Sequence, residues 1–234
     1  MSVPLSVTTV PALEAIAGLV HGFERRPVSA ASESRDEGRR RVAEALADRG
    51  RLLMLRQVHG TRVLEAPWEG APEGDAGLAA EAGLFVGVET ADCLPILLVS
   101  PRRRLAAAVH AGWRGTAAGV ARRGIEALVA AGSDPGDVVA ALGPAIGACC
   151  YEVGNEVREA FGPHGAAFFR PGPNGRPYLD IRAANVKHLL DAGVSPGSIH
   201  HVADCTFCRA DVYHSFRREG RDAGRMISFV GFAR

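Results

Sequence analysis

The sequence is short of several things, and each shortage removes a class of function. It has almost no net charge: 27 Lys and Arg residues stand against 26 Asp and Glu, a formal +1. Such a balance gives no electrostatic reason to bind nucleic acid or an anionic membrane. The clusters Arg25–Arg26, Arg39–Arg41 and Arg102–Arg104 are local and sit beside acidic residues, so they read as solvated surface. No uninterrupted apolar run is long enough to cross a bilayer. The opening "MSVPLSVTTVPALEAIAG" has no basic leader, and Pro4, Pro11 and Glu14 interrupt its apolar content, so it does not read as a secretion signal. Cysteines number five, an odd count in a chain of 234 residues that is too large to need stapling. That favours reduced thiols over a disulfide framework, and the expectation is a soluble cytoplasmic protein. Methionines number three, and no His-x-His pair occurs.

What is present is an alternation of strand-like apolar runs with helical patterns. Residues 51–60, 83–90, 94–100 and 104–110 read as strands bounded by Gly, Pro or charged turns, as do 138–144 and 225–232. Helices are expected over 117–132, 154–162 and 182–193, and through "RRRVAEALADRG". The segments 28–38 and 170–177 have loop composition. No linker interrupts the pattern, so residues 1–234 are expected to form one α/β domain. A faint internal echo hints at a duplicated unit: "VHG" at 20–22 and 58–60 with "VHAG" at 109–112, and "ADC" at 91–93 and 203–205.

The chemistry concentrates where strands end. His59 closes one apolar run, Cys93 sits in the turn "TADCLP", and His110 closes "RLAAAVH". These are too far apart for a single-helix ligand motif, but the ends of adjacent strands can converge on one rim of a sheet. Two imidazoles and a thiolate make a three-ligand zinc set with a fourth position open, and such a metal lowers the pKa of bound water towards ~7. The same residues allow other readings. They can be hydrogen-bonded structural residues, or Cys93 and His110 can be a thiol nucleophile and its base. His₂Cys is also the blue-copper set, but only Met54 and Met226 remain as axial candidates, and a multicopper cluster lacks its His-x-His pairs. His164, His188, His200, His201 and His214 have no comparable claim.

Two further motifs stand apart. In "HAGWRGTAAG" a glycine turn opens a helix, which aims free N–H groups outward as an anion site, with Arg114 placed to grip phosphate. A plain strand-to-helix turn fits it too. "CTFC" at 205–208 is a single C-x-x-C and a weak zinc or redox signal, and "CC" at 149–150 suggests no ligand geometry.

"RQVHG", "TADCLPILL", "VHAGWRGTAAG", "GPAIGACCYEVG", "LDIRAAN", "CTFC" and "HSFRREG…GRM" together resemble the bacterial polyphenol-oxidase, or laccase-domain-containing, family, whose members are described as purine nucleoside phosphorylases. The resemblance runs from about His21 to the C-terminus. It implies zinc held by His59, Cys93 and His110 as the catalytic centre, with copper the less favoured ion. It also implies phosphorolysis of adenosine, guanosine, inosine and methylthioadenosine, and hydrolytic deamination of adenosine. The partners are then a purine nucleoside and phosphate, with no nucleic acid and no membrane. The implied fold is of the cytotoxic necrotising factor catalytic-domain type, with mixed sheets in α/β/β/α layers and an internal duplication. Arg26, Gln57 and Arg114 are the expected substrate and phosphate contacts, with Asp75, Glu89 and Asp92 available as general acids. The chain departs from the family near its start, where "HGFERRPVSAASES" lacks the glycine pair and the "NLG" segment.

Overall fold

The computed structural model describes residues 5–26 and 34–234. Its strands are β1 (Val7–Thr8), β2 (Leu19–Glu24), β3 (Arg51–Met54), β4 (Val63–Glu65), β5 (Ala76–Ala79), β6 (Leu84–Thr90) and β7 (Leu94–Ser100). They continue with β8 (Leu105–Ala111), β9 (Val139–Leu142), β10 (Phe169–Pro171), β11 (Pro177–Leu179), β12 (Ile199–His201) and β13 (Met226–Phe232). One sheet has the order β1-β2-β13-β6-β3 and the other β12-β9-β7-β8-β5-β4, while β10 and β11 form a separate hairpin. Both sheets are mixed: β3 runs parallel to β6, β4 to β5 and β12 to β9, and every other pairing is antiparallel. The helices are α1 (Pro11–Glu14), α2 (Arg35–Leu46), α3 (Trp113–Ala117), α4 (Val120–Ala130), α5 (Asn155–Ala160), α6 (Ile181–Asp191) and α7 (Phe216–Glu219).

The period-2 alternation of strand side chains builds the layers. Leu97 and Val99 of β7, with Ala106 and Ala108 of β8, face the other sheet and meet Phe23, Val86, Val88 and Val230. Ile96, Leu98, Ala107 and Val109 face the opposite way, onto Val120, Ile125 and Leu128 of α4 and Ile181 and Leu189 of α6. On the far side, Val42 and Leu46 of α2 cover Met54, Phe85, Ile227 and Phe229. The result is an α/β/β/α stack. Strands β7 and β8 are buried on both faces, which is why their sequences are unbroken apolar runs. Each fully buried Leu or Val contributes about 1.5–3 kcal/mol of hydrophobic stabilisation. Alanine in β8 and Gly124 in α4 let the helix press close: a Cβ on Gly124 would meet Leu98 at 2.8 Å and Val109 at 2.9 Å. No described helix is long and apolar enough to cross a membrane.

Several sequence expectations shift. The strand over 51–60 stops at Met54, because the backbone N–H groups of residues 58–60 are captured by the Asp75 carboxylate instead of a strand partner. The helix over 117–132 is two helices, broken at Gly119, whose φ of 83° lies in the left-handed region. Residues 170–177 are the tip of the β10–β11 hairpin rather than an isolated loop. Of the loop over 28–38, residues 28–33 lie outside the described residues. Residues 35–38 are already helix, because Ser34 and Glu37 form a capping box on α2. The tripeptide echoes fall in unlike places. His21 lies within β2 and accepts a hydrogen bond from the Val10 N–H, whereas His59 is in a loop and His110 near the end of β8.

The register fixes what meets at the sheet end. In the second sheet Pro95 is opposite His110, and Ala76 is opposite Val109. Cys93, His110 and Asp75 therefore stand side by side where β7, β8 and β5 finish or start, and the β3–β4 loop brings His59 over them.

Candidate metal centre

His59 Nδ1 or Nε2, Cys93 Sγ and a ring nitrogen of His110 all lie within 4.8 Å of one another. His59 Nε2 is 4.0 Å from Cys93 Sγ, and the two imidazoles meet edge to face with centroids 4.9 Å apart. His110 is buried, Cys93 half-buried and His59 exposed at the mouth.

One carboxylate orients this group. Asp75 is fully buried, and its Oδ1 accepts from His110 Nδ1 at 2.8 Å and from the His59 N–H at 2.9 Å. Its Oδ2 accepts from the Gly60 N–H at 2.6 Å and the Val58 N–H at 3.3 Å. With Nδ1 committed to Asp75, Nε2 is the His110 nitrogen left for a metal, which on binding would take the place of its proton. That is the carboxylate–histidine arrangement by which proteins aim an imidazole at a metal. Asp75 also holds His59 at φ 60°, a left-handed conformation that costs a non-glycine residue about 1–3 kcal/mol. Asp92, at φ 89°, is held likewise. Its carboxylate accepts from Thr206 Oγ1 at 2.6 Å, Ser215 Oγ at 3.0 Å and the Arg217 N–H at 2.7 Å.

The electrostatics favour a thiolate. Burial alone would raise the Cys93 pKa, but the charge and hydrogen bonding of His110 and His59 bring it down to about 6. Burial would lower His110, but the Cys93 charge and the Asp75 hydrogen bond hold it up at about 9. Burial likewise opposes the Asp75 charge, yet His110 and the loop N–H groups keep its pKa below the usual carboxylate value. Soft sulfur and two imidazoles, pre-positioned and leaving one side open, fit a metal ion. Gly112 is part of that fit, since a Cβ there would lie 2.7 Å from His59 Cδ2 and 3.3 Å from Cys93 Sγ.

The three residues line a cavity of about 390 Å³. Its walls carry Arg35, Arg39, Arg56, Arg217 and Arg225, with Tyr151 and the half-exposed Phe216. Arg39 is committed to Glu89 through two bonds of 2.6 and 2.9 Å, and Arg56 to Glu73. Among the described residues neither Arg35 nor Arg217 forms an ion pair.

The expected contact residues fare differently. Gln57 lines the cavity, but its amide is used to brace the wall: Nε2 donates to the Glu89 carbonyl at 2.8 Å and Oε1 accepts from the Glu89 N–H at 2.7 Å. Arg114 stacks on Trp113 at 4.2 Å and does not line the cavity. Arg26 is paired with Glu219 at 3.1 Å and borders a different depression. The helix that Gly112 opens has only five residues. The three carboxylates available as acids all carry structural bonds: Asp75 to His110, Glu89 to Arg39, and Asp92 to Thr206 and to the start of α7 at Ser215 and Arg217. No sequence signal singles out the arginines of α2 and of the 215–225 segment, although "HSFRREG…GRM" contains Arg217 and Arg225.

Comparison with known proteins identifies the family. Residues 27–233 match the family model described as multi-copper polyphenol oxidoreductase laccase. A purine nucleoside phosphorylase of Deinococcus radiodurans is 38% identical over 201 residues, covering 85% of this chain and 77% of that protein. A protein named adenosine deaminase, from an unknown prokaryotic organism, is 36% identical over 204 residues, covering 78% and 75%. The crystal structure of YlmD from Geobacillus stearothermophilus superposes with a TM-score of 0.84 at 29% identity, covering 99% of this chain and 100% of that one. By the extent of that match and the identity of these relatives, the chain belongs to the multi-copper polyphenol oxidoreductase laccase family, many of whose members are named purine nucleoside phosphorylases.

Proposed function

We propose that this chain is a zinc-dependent purine nucleoside phosphorylase acting on adenosine, guanosine, inosine and methylthioadenosine, with adenosine deaminase activity at the same site. The observation that carries the reading is a His–Cys–His donor set lining a cavity walled by arginines and two aromatic rings. His59, Cys93 and His110 would hold the ion, which when bound supplies Lewis-acid polarisation and activates water at neutral pH.

The remaining work falls to the chain. Arg35 and Arg217 are cations without an ion pair among the described residues, and Arg225 lies close enough to Arg35 that burial and that neighbouring charge press its pKa below the usual arginine value. A phosphate bound among them relieves the repulsion and is held for attack at the ribose anomeric carbon. As an oxygen of hydrogen phosphate bonds to that carbon, the bond to the base nitrogen breaks, and the proton given up by the phosphate ends on the departing purine while ribose 1-phosphate forms. Phe216, 50% exposed, and Tyr151 offer ring faces on which a purine stacks. Burial and the Cys93 charge push the Tyr151 hydroxyl well above its usual value, so it stays protonated and can donate a hydrogen bond.

Copper chemistry of the blue type needs a weak axial ligand. Met54 and Met226 are buried in the core, and neither lines the cavity. The second reading is a metal-free hydrolase in which the Cys93 thiolate attacks and His110 serves as acid, favoured by the shifts of those two groups towards an ion pair. Product analysis decides between them. Adenosine with phosphate is expected to give adenine and ribose 1-phosphate in equal amounts, with no adenine when phosphate is withheld. Inosine formed with or without phosphate reports the deaminase. No nucleoside turnover, with hydrolysis of amide substrates instead, would replace this reading with the hydrolase.

A further inference from the structure

We propose that Cys149, Cys150, Cys205 and Cys208 form a second metal centre, a closed four-thiolate zinc site that fastens the wall of the cavity. It stands apart from the His59–Cys93–His110 set and does not depend on the nucleoside reading. Two chain segments supply the ligands. Cys149 and Cys150 lie in the turn that follows β9, and Cys205 and Cys208 in the turn that follows β12. The segments are clamped by a parallel bridge between Ala145 and Cys205, with the Thr206 N–H donating to the Ala145 carbonyl at 3.1 Å.

The sulfur geometry is that of one ion. All four Sγ atoms lie within 4.8 Å of one another. Cys208 is 3.8 Å from Cys149 and 3.4 Å from Cys150, so its sulfur has two near neighbours rather than one disulfide partner. A tetrahedral zinc with Zn–S bonds of about 2.3 Å sets its sulfurs about 3.8 Å apart. Iron–sulfur clusters put bridging sulfides between the thiolates and need a wider frame. The surroundings suit a thiolate at Cys205: the Gly147 N–H donates to its Sγ at 3.2 Å, and the Cys208 N–H also bonds that sulfur. Gly147 is itself part of the cradle, because a Cβ there would lie 3.1 Å from Cys149 Sγ and 3.3 Å from Cys205 Cβ. Four thiolates around Zn²⁺ carry a net charge of −2, and cations stand by. Arg170 Nε donates to the Ala148 carbonyl at 3.0 Å, and half-buried Arg182 is near enough to interact with Cys205. Cys149 and Cys208 are exposed, which gives the ion an entry path.

The position gives the site its purpose. Ile146 and Tyr151 flank the Cys149–Cys150 turn and line the cavity. On the other segment, Thr206 donates to Asp92, the residue before Cys93, and Arg218 Nη1 donates to the carbonyls of Thr206 and Phe207 at 2.8 Å each. An ion joining the two turns therefore fixes two walls of the substrate cavity while leaving no coordination position open for chemistry.

The test counts metal in the full chain purified under reducing conditions with none added, by elemental analysis and native mass spectrometry. The wild type is expected to hold two zinc ions per chain. The H59A/C93A protein keeps one, and the C150S/C208S protein keeps the other. In H59A/C93A the zinc replaced by cobalt gives the intense thiolate-to-metal absorption of four sulfurs, and C150S/C208S gives only the weaker band of one. A wild type with one zinc that vanishes in H59A/C93A overturns the proposal, as does iron in place of the second zinc. An intact mass lowered by the hydrogens of two disulfides does so as well. If C150S/C208S does not fold, the wild type and H59A/C93A still decide.

Discussion

Replacing Asp75 by Asn removes one charge and changes almost nothing in shape, yet its consequences are specific. The carboxylate accepts two bonds at each oxygen: His59 N–H and His110 Nδ1 at one, Gly60 N–H and Val58 N–H at the other. An amide has one acceptor and one donor, so in either orientation two N–H groups of the protein face an NH₂. If the NH₂ faces the loop, the Gly60 and Val58 N–H groups lose their buried acceptor. If it faces His110, the imidazole must become the other tautomer, with its proton on Nε2, and it then has no lone pair left for a metal. Each buried donor left unsatisfied costs about 1–3 kcal/mol, and the loop loses its hold on His59 at positive φ. Asp75→Asn is therefore expected to cost about 3 kcal/mol, a fall in Tm of about 6–12 °C for a chain of this size. Zinc affinity should fall about 10- to 100-fold, the usual cost of losing the residue that orients a ligand. Thermal unfolding of metal-stripped protein reads the first effect, and competition against a chelator reads the second. An Asp75→Asn protein with wild-type Tm and zinc affinity would refute the argument that this carboxylate sets the tautomer and the loop.

Other expectations follow from single contacts. Gly112→Ala places a Cβ 2.7 Å from His59 Cδ2, so the protein should fold but lose metal occupancy; elemental analysis beside circular dichroism checks this, and full occupancy speaks against it. In metal-stripped protein Cys93, with its pKa near 6, should be alkylated rapidly at pH 7 and progressively more slowly as pH falls through about 6, while zinc-loaded protein is protected. Peptide mapping separates Cys93 from the other four thiols, and equal reactivity with and without zinc contradicts metal ligation. Arg217→Ala should raise KM for phosphate at least tenfold, consistent with loss of a charge-assisted contact worth about 1.5–3 kcal/mol, while Arg114→Ala, stacked on Trp113, should leave it nearly unchanged. Equal effects of the two substitutions return phosphate to the α3 turn.

The layers are legible in the sequence where burial is two-sided. "LPILLVS" and "LAAAVH" announce strands because both faces of β7 and β8 are covered, so nothing polar interrupts them. Strands β4, β5 and β12 are not legible, since runs of three or four residues carry too little periodicity. His59, Cys93 and His110 can be nominated from strand ends, but their convergence depends on the register of β7, β8 and β5, a property of pairings far apart in sequence. Asp75 has no local signal for its role; it is 35 residues from His110 and only the β5–β8 pairing brings them together. Arg114 and Arg26 stand out by proximity in sequence to motifs, and their side chains go elsewhere. Of the arginines that line the cavity, Arg56 comes from the β3–β4 loop and the others from α2 and the 215–225 segment, which meet only across the folded sheet end. The four clustered cysteines show the same limit: "CC" and "CTFC" say little alone, and the Ala145–Cys205 bridge makes them one group.

The central claim is that metal held by His59, Cys93 and His110 is required for phosphate-dependent cleavage of a purine nucleoside. The direct measurement is adenosine turnover in saturating phosphate, on protein stripped of metal and then titrated with zinc, with bound zinc counted at each point. The account predicts no adenine from stripped protein and activity that returns in step with occupancy of the His59–Cys93–His110 centre. It predicts no return in the H59A/C93A protein, whatever zinc that protein retains. Full phosphorolysis by stripped protein, or by H59A/C93A, would contradict it.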